Sequence, residues 1–448
     1  MSRLAILGAM LATLTLTDVG LGLHILHADG DPLSQTDFRV VVVLSVPVYL
    51  AACWLVQQPG RMPSLWLILG IAFALRIALL IAPPMLSSDI YRYVWDGMVQ
   101  NAGINPYLHI PADAALANLR DTAIYPNINR ADYAPTIYPP FAEMLFAAIA
   151  AISPTLLAMK AAMLAMEAVT IFCLLRLLNL AGKPAAQVLI YAWNPLAIWE
   201  FAGNAHVDAA AAAMLVLALL LRATARPGLA GLTLGAAILT KFLPAIAAPA
   251  LWQRGTAGWR IIAGALFCVT ALYAFYIIWG DAGSHVLGFL GGYSGEEGLN
   301  TGSGIWALAG VGLLTDLPTW AAPLYLSLTA IGLAALGCWI AFRARPNQGT
   351  QADTIRLCRD AALLATTLML AISPHYPWYF VWLAALTTVT PSPTAIWLSA
   401  GSILLYANPL PDHFIWQSLV FAPALLLAFR EYRARPLAPP IQALQGSF

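Results

Sequence analysis

Long apolar runs recur along almost the whole chain, separated by short polar stretches. A helix that crosses a membrane needs about 20 mostly apolar residues, and most of the runs approach that length. They predict helices at approximately residues 4–24, 39–56, 65–83, 157–177, 186–200, 207–221, 260–279, 319–342, 358–373, 377–390, 394–407 and 414–428. No convincing small-residue cleavage site follows the first run, so we expect a spanning helix there rather than a removed signal peptide.

Two stretches do not fit a simple crossing. Residues 228–252 are interrupted by Lys241 and Pro244, and residues 139–152 begin with a Pro pair and include Glu143. Lys and Arg are enriched in cytoplasmic loops, and that bias is best kept with both termini inside. Residues 228–252 then form an in-and-out hairpin of two short helices, and 139–152 lie along the outer interface. The pattern predicts an all-α polytopic membrane protein, a single domain over residues 1–448 with about 12–14 membrane segments.

The composition supports this class and excludes several others. Of the 448 residues, 60% are hydrophobic and 10% are charged, with a net charge of +1 and a mean hydropathy of +0.76. A soluble domain has about 25% charged residues. A cytosolic enzyme, a nucleic-acid binder, a disordered protein and a disulfide-rich secreted module are therefore excluded. Most acidic residues fall near the predicted outer surface, although they hardly affect insertion, and a functional site on that face would explain this.

The longest polar region, residues 87–138, is predicted to be an outer loop of about fifty residues. A loop this long is usually functional or disordered, and its Tyr, Trp, Ile and Pro content argues against disorder. Ser88 is a candidate cap for a short helix. On that helix Asp89, Arg92, Tyr93 and Asp96 would share one stripe. The alternative is a solvated face on which Arg92 neutralises the two acids.

Three motifs of this loop occur in a particular order: S-S-D-I-Y-R-Y-V-W-D-G, then A-G-I-N-P-Y, then I-Y-P-P. The order resembles the first outer loop of polytopic glycosyltransferases of the GT-C fold, above all bacterial mannosyltransferase-like proteins that use polyprenyl-phosphate sugars. The catalytic subunit of GPI mannosyltransferase I, with T-D-x-D-Y-x-V-F-x-D-A followed by S-P-Y, is a more distant likeness. Further matches are W-N-P-L at 193–196, E-F-A-G-N-A-H-V-D at 200–208, L-T-K-F at 239–242, G-E-E-G at 295–298 and S-P-H-Y-P-W-Y at 373–379.

The resemblance implies a GT-C-like bundle and an inverting transfer of a hexose, with mannose as the first expectation. It implies a polyprenyl-phosphate-linked donor, a glycan or glycolipid acceptor, and a site on the periplasmic face of a bacterial inner membrane. Residues 84–156 would form an outer catalytic loop with interfacial helices, and residues 280–318 a second outer loop. Asp89 matches the family's catalytic acid and is predicted to be the general base, while Asp96 would bind substrate hydroxyls. Tyr91 replaces a second Asp of GPI mannosyltransferase I, so no paired-aspartate metal site follows.

The donor phosphate needs cations, and the sequence offers few inside the membrane. Lys241 lies within the predicted hairpin, where a central Lys costs about 2.5–3.5 kcal/mol on insertion scales. We expect it to contact the donor phosphate, with an ion pair to Glu200 or Glu167 as the alternative. Arg92 and His375 are the next candidates, since Arg can grip two phosphate oxygens at once.

The other candidates for substrate binding are Tyr93, His206, Asp208, Glu296, Glu297 and Tyr376. For each, a structural role is the alternative. His206 and Asp208 could simply mark the start of a helix, the two Glu residues could lie in a solvated Gly-rich turn, and residues 375–379 could be an interfacial aromatic belt.

Several features of the sequence bear on the class of reaction. It has no Gly-rich phosphate loop after a predicted strand, which argues against a nucleotide-sugar donor on a cytosolic domain. No cofactor follows from the sequence, and a divalent metal on Asp89 and Asp96 is unsupported. The alternative function is a multi-spanning transporter or lipid-carrier flippase, which predicts charges throughout the depth of several helices. The candidates for deep charges are Asp18, Arg76, Lys160, Glu167 and Lys241, most of them isolated or near helix ends.

Overall fold

The structure is a computed structural model that describes residues 3–27, 36–60, 63–343, 349–407 and 414–434. Within these ranges the regular structure is helical and no strand occurs. The α-helices are α1 Arg3–His27, α2 Thr36–Val56, α3 Leu65–Ile81, α4 Asp89–Asn101, α5 Pro140–Ile152, α6 Leu156–Leu180, α7 Leu189–Ala192, α8 Pro195–Ala197, α9 Asp208–Ala223, α10 Pro227–Thr240, α11 Ala248–Leu251, α12 Thr256–Ala274, α13 Leu290–Glu296, α14 Trp306–Gly312, α15 Ala321–Phe342, α16 Gly349–Ile372, α17 Val381–Thr387, α18 Pro393–Gly401 and α19 Phe414–Arg433.

Long apolar helices confirm the all-α polytopic membrane class. In the described part of the chain, five stretches are long and apolar enough to cross a membrane: Arg3–Leu21, Leu156–Leu180, Thr256–Ile278, Ala321–Phe342 and Phe414–Arg433. A sixth is the bent pair Pro195–Gly203 and Asp208–Ala223. Helix length alone therefore does not reach the predicted 12–14 segments, because many of the other apolar runs form shorter or interrupted helices.

The run predicted as one helix over 186–200 is broken. Asn194 caps a new helix by accepting a hydrogen bond from the Ala197 N–H at 3.0 Å, and Pro195 occupies the first position of that helix, where its missing N–H costs nothing. The chain continues as a π-helical turn over Ile198–Gly203 and then bends by 117° into α9. Every residue from 186 to 213 is buried, so this irregular backbone forms the core of the protein rather than a lipid-facing span.

Residues 228–252 form the predicted hairpin. A Cβ atom on Gly231 of α10 would lie 2.1 Å from the carbonyl oxygen of Ile261 in α12, and one on Gly235 would lie 2.7 Å from Cβ of Cys268. The contacts advance in the same direction along both helices, so α10 and α12 run parallel. The chain between them must therefore return, and Lys241 lies at the turn, directly after α10.

The helix predicted after Ser88 is present as α4, although the Ser88 side chain makes no capping hydrogen bond. It packs against α5, whose 13 residues span about 20 Å at 1.5 Å per residue and are too few to cross a bilayer. Gly97 allows the two helices to approach, because a Cβ atom there would lie 2.4 Å from the Phe146 carbonyl oxygen. Ile90, Val94 and Trp95 on the other side of α4 are buried in the protein core.

Charged residues join several segments at one end of the bundle. Arg222 at the end of α9 pairs with Asp353 at 2.6 Å, and Arg343 pairs with Asp360 at 2.5 Å. Asp208 begins α9 fourteen residues before Arg222, about 21 Å away along the helix axis. The predicted site residues therefore lie at the opposite end of the bundle from this arginine-rich end.

Candidate active site

A cavity of about 270 Å³ opens where α4, the start of α9, the turn after α10 and residues 373–380 meet. The predicted site residues that line it are Asp89, Arg92, Tyr93, His206, Asp208, Lys241 and Tyr376. The residues that line it without having been predicted as site residues include Ser88, Asn129, Arg130, Tyr138, Tyr293, Trp378, Tyr379 and Tyr406. Residues 86–138 thus supply one wall, and residues 206–406 supply the other.

Asp89 is the first residue of α4 and carries the carboxylate of that wall. Its Oδ1 accepts a hydrogen bond from the Asn129 side-chain amide at 2.7 Å, and its Oδ2 lies 4.0 Å from Nδ1 of His206. Burial raises the pKa of Asp89 above its ordinary value, against the lowering effects of Asn129, Arg130 and Lys241. A carboxylate with a raised pKa and access to the cavity is well suited to accept a proton.

Arg92 and Asp96 form a buried pair one turn further along α4. The Arg92 Nε donates to both carboxylate oxygens of Asp96, at 2.8 and 3.0 Å, and Nη1 donates to the Ala134 carbonyl at 3.1 Å. Nη2 has no hydrogen-bond partner among the described residues. Asp96 lies behind Arg92 and does not line the cavity. Its position therefore differs from the expected contact with substrate hydroxyls, because its carboxylate is occupied in holding Arg92.

Lys241 pairs with neither of the acids considered as structural partners. Its Nζ donates to both carboxylate oxygens of Asp208, at 2.7 and 2.9 Å, and lies 3.9 Å from the centroid of the Tyr379 ring. Glu167 instead binds Arg76 at 2.6 Å, and Glu200 accepts a hydrogen bond from Tyr406. The alternative of an ion pair between Lys241 and Glu200 or Glu167 was therefore wrong. The carboxylate that binds Lys241 belongs to Asp208, which lies 33 positions earlier in the sequence.

Arg130 is a cavity residue that sequence reasoning missed. Its Nε donates to Glu296 at 2.6 Å, and its guanidinium carbon lies 5.6 Å from the centroid of the Tyr293 ring. The backbone at Arg130 is in the left-handed region with φ 56°, a conformation that is uncommon for residues other than Gly. It belongs to no helix and shares no periodicity with the α4 stripe, so no sequence signal related it to Asp89.

Glu296, Glu297 and His375 lie beside the cavity but do not line it. The Glu296 carboxylate accepts hydrogen bonds from Nε of Arg130 and, at 3.0 Å, from the Tyr133 hydroxyl. Glu297 lies 3.2 Å from Nε2 of His375, and both side chains are buried. Burial raises the pKa of Glu297 to about 7 and lowers that of His375 to about 4. Through these contacts Glu296 and Glu297 connect residues 290–298 to the rest of the site. The sequence offered Glu296, Glu297 and His375 as candidates for substrate binding, with a structural role as the alternative.

Aromatic rings form one wall of the cavity. Trp378 lies between His206 and Tyr376, with ring centroids 4.5 Å away on each side and interplanar angles of 22° and 15°. The hydroxyls of Tyr293 and Tyr379 are 2.8 Å apart. Ligand cavities usually combine such apolar surfaces with a few polar groups that fix orientation. The aromatic belt considered for residues 375–379 is therefore turned inward, toward the cavity.

Three of the charged residues that the sequence offered as candidates for deep membrane charges have fixed protein partners. Arg76 donates to both carboxylate oxygens of Glu167, and Lys160 donates to the carbonyls of Leu79, at 2.7 Å, and Ala82. None of the three lines the cavity. Among the described residues, no group of three or more His, Cys, Asp or Glu side chains is arranged to hold a metal ion.

Two family models identify the chain as a membrane glycosyltransferase of the GT-C type. The family model described as "Alpha-(1->6)-mannopyranosyltransferase, N-terminal domain" matches residues 5–254, and that of glycosyltransferase family 87 matches residues 136–374. Each match covers more than half of the chain. The chain therefore belongs to the alpha-(1->6)-mannopyranosyltransferase family, and it also matches the model of glycosyltransferase family 87. No curated protein and no solved structure matches the chain.

Proposed function

We propose that the protein is an inverting transferase that moves a hexose, with mannose as the best supported sugar, from a polyprenyl-phosphate-linked donor to a glycan or lipid acceptor. The observation that carries the proposal is that Asp89 lines one cavity together with the cations Lys241, Arg92 and Arg130. Displacing a phosphate from an anomeric carbon needs a base for the acceptor hydroxyl and positive charge for the departing phosphate. The cavity holds both.

In this reaction Asp89 takes the proton of the acceptor hydroxyl as its oxygen attacks the anomeric carbon. The bond from that carbon to the phosphate oxygen breaks, and its electron pair leaves with the lipid phosphate. Lys241 and Arg130 stabilise this charge, and the unpartnered Nη2 of Arg92 is a further donor. A single displacement inverts the sugar, so a product with the α-(1→6) linkage of the family's name requires a β-linked donor.

The surroundings of the cavity support a lipid-linked donor and a site on the outer face. Phe242, 38% exposed, follows Lys241 directly and offers apolar surface beside the cation. The opposite end of the bundle carries Arg222, Arg254 and Arg343, as the positive-inside rule expects of the cytoplasmic side. We accordingly place the cavity on the periplasmic side of a bacterial inner membrane, with residues 84–156 as the catalytic loop and 280–318 as its cover.

The decisive test compares Asp89→Asn with a matched control, Asp113→Asn, from the same loop. Asp113 lies outside the cavity and accepts the Ala115 N–H at the start of a 3₁₀ turn, a role that Asn fills equally well. Membranes containing each variant are supplied with labelled polyprenyl-phosphate mannose, polyprenyl-phosphate glucose or a nucleotide-linked mannose.

We expect transfer from polyprenyl-phosphate mannose only, reduced about 100-fold or more by Asp89→Asn and unchanged by Asp113→Asn. Transfer from the nucleotide-linked sugar would overturn the donor assignment. Full activity of Asp89→Asn would overturn the role of Asp89.

A further inference from the structure

The general base of the proposed reaction is held by a residue 40 positions further along the chain. The side-chain amide of Asn129 donates to Oδ1 of Asp89 at 2.7 Å and to the Ser88 hydroxyl oxygen at 3.3 Å. An ionised carboxylate only accepts hydrogen bonds, so the amide nitrogen of Asn129 must face it. Oδ2 of Asp89 accepts no hydrogen bond from the described residues and lies 4.0 Å from Nδ1 of His206, which also lines the cavity. The two oxygens of this carboxylate therefore have different surroundings.

The turn that carries Asn129, residues 121–130, is fixed against α4. Asp121 accepts the three backbone N–H groups of residues 123–125, at 2.6–3.2 Å. The Tyr125 ring packs on Trp95 of α4, with ring centroids 5.5 Å apart. A group that orients a catalytic side chain needs such support from packing and hydrogen bonds. The turn therefore reaches the start of α4 in a defined position.

We propose that Asn129 is a positioning residue, which binds Oδ1 of Asp89 and leaves Oδ2 to take the proton of the acceptor hydroxyl. This inference rests on the proposed function. As the acceptor oxygen bonds to the anomeric carbon, its proton moves to Oδ2. The bond from that carbon to the phosphate oxygen breaks, and its electron pair leaves with the lipid phosphate. Oδ2 releases the proton to solvent after the product has left, while the Asn129 amide still holds Oδ1.

The same hydrogen bond favours the ionised form of Asp89. Burial raises the pKa of Asp89, and the hydrogen bond from Asn129 opposes this effect more than the charges of Arg130 and Lys241 do. Only the ionised carboxylate accepts the proton of the acceptor hydroxyl. Loss of the Asn129 donor therefore raises the pKa of Asp89 further and leaves less of the base ionised at neutral pH.

Other groups around Asp89 influence the same pKa. The charged or titratable ones that line the cavity are Arg92, Arg130, His206, Asp208 and Lys241, and Glu200 lies behind His206 at 3.3 Å from its Nε2. The phenol groups of the cavity belong to Tyr93, Tyr138, Tyr293, Tyr376, Tyr379 and Tyr406. A phenol is neutral near pH 7. A substitution at Asn129 removes none of these groups, so all of them are common to the proteins that are compared.

Displacement of Arg130 is the competing explanation. Arg130 follows Asn129 directly and lines the cavity, and its charge also lowers the pKa of Asp89. A substitution at Asn129 that moved the backbone would therefore change the pKa of Asp89 through Arg130. A double-mutant cycle separates this route from the direct hydrogen bond.

The cycle consists of Asn129→Leu, Arg130→Met and the double variant. Leu keeps the approximate size of Asn and removes the N–H donor. The assay follows kcat/KM for polyprenyl-phosphate mannose against pH, since its acid limb reports the pKa of the base in the free enzyme. Labelling of Asp89 with a carbodiimide, which reacts with the protonated carboxyl group, gives the same pKa by mass spectrometry in variants with little transfer. Asn127→Leu is the matched control, because the Asn127 amide donates to the Ala123 carbonyl at 3.0 Å and Asn127 does not line the cavity.

We expect Asn129→Leu to move the acid limb upward by about one pH unit, which lowers kcat/KM about tenfold at pH values below the limb. The shift should have the same size when Arg130→Met is already present. Asn127→Leu should leave the limb at the pH of the unchanged protein.

Each other outcome overturns a distinct statement. An unmoved limb in Asn129→Leu, with or without a loss of transfer, would make Asn129 a structural residue and overturn the inference. A shift that disappears beside Arg130→Met, or an equal shift in Asn127→Leu, would also overturn it. If Asn129→Leu does not fold, Asn129→Ala is measured in the same cycle. Full activity of Asp89→Asn would instead overturn the proposed function.

Discussion

The pair formed by Lys241 and Asp208 allows a phosphate-binding role to be separated from a structural one. The two hydrogen bonds are 2.7 and 2.9 Å long, and the side chains are 20% and 6% exposed. Removing one member of a buried pair costs about 3–5 kcal/mol, because the other charge is left uncompensated. Since Lys241 keeps a fifth of its surface exposed, we expect Lys241→Met to lower the free energy of unfolding by about 3 kcal/mol. That corresponds to roughly a 150-fold change in the unfolding equilibrium.

The double variant Lys241→Met with Asp208→Leu removes both charges and is expected to regain most of this stability. It is not expected to regain transfer, because the cation for the departing phosphate is still missing. Unfolding in detergent and initial rates with polyprenyl-phosphate mannose are measured for both variants. Recovery of transfer together with stability would refute the phosphate contact and leave Lys241 a structural residue.

Two further predictions concern packing and pH. Gly97→Val should lower the free energy of unfolding by about 1–3 kcal/mol and should also lower the rate of transfer. The reason is that a Cβ atom at position 97 would lie 2.4 Å from the Phe146 carbonyl oxygen, which belongs to the backbone of α5. Unchanged thermal unfolding of this variant would contradict the close packing of α4 on α5. The raised pKa of Glu297, about 7, makes the folded state hold a proton that the unfolded chain loses, so its contribution to stability falls between about pH 4.5 and 7. The lowered pKa of His375, about 4, gives a contribution that rises between about pH 4 and 6.5. The free energy of unfolding should therefore increase with pH between about pH 4 and 6.5 in Glu297→Gln, where only His375 contributes, and decrease between about pH 4.5 and 7 in His375→Asn. Parallel curves of the free energy of unfolding against pH for the two variants would contradict the two shifts.

The local elements of this protein follow from its sequence far better than the breaks within them. Apolar runs specify where helices lie, because a helix in lipid must satisfy its own backbone hydrogen bonds. Residues 186–200 are as apolar as their neighbours, yet Asn194 and Pro195 begin a new helix there. Such a break is permitted because protein rather than lipid surrounds residues 186–213, and a one-dimensional hydropathy pattern carries no information about which neighbour covers a helix.

The site shows the same limit. The stripe containing Asp89, Arg92 and Tyr93 was predictable because helical periodicity relates residues three and four positions apart. Arg130 and Tyr406 line the same cavity, but only the tertiary fold brings them there. Asp96 had the spacing of the stripe and nevertheless lies behind Arg92, whose Nε donates to both of its carboxylate oxygens.

Each cation at the cavity already has a carboxylate partner: Lys241 has Asp208, Arg130 has Glu296 and Arg92 has Asp96. These carboxylates keep the cations in place without a ligand, and they also compete with an incoming phosphate. A donor whose phosphate is esterified at both ends gains little by displacing them, whereas the leaving phosphate carries an additional negative charge and gains more. Interactions that are stronger in the transition state than in the bound substrate are those that accelerate a reaction. In the proposed reaction the internal ion pairs would therefore direct the positive charge of this cavity toward the breaking bond rather than toward tight binding of the donor.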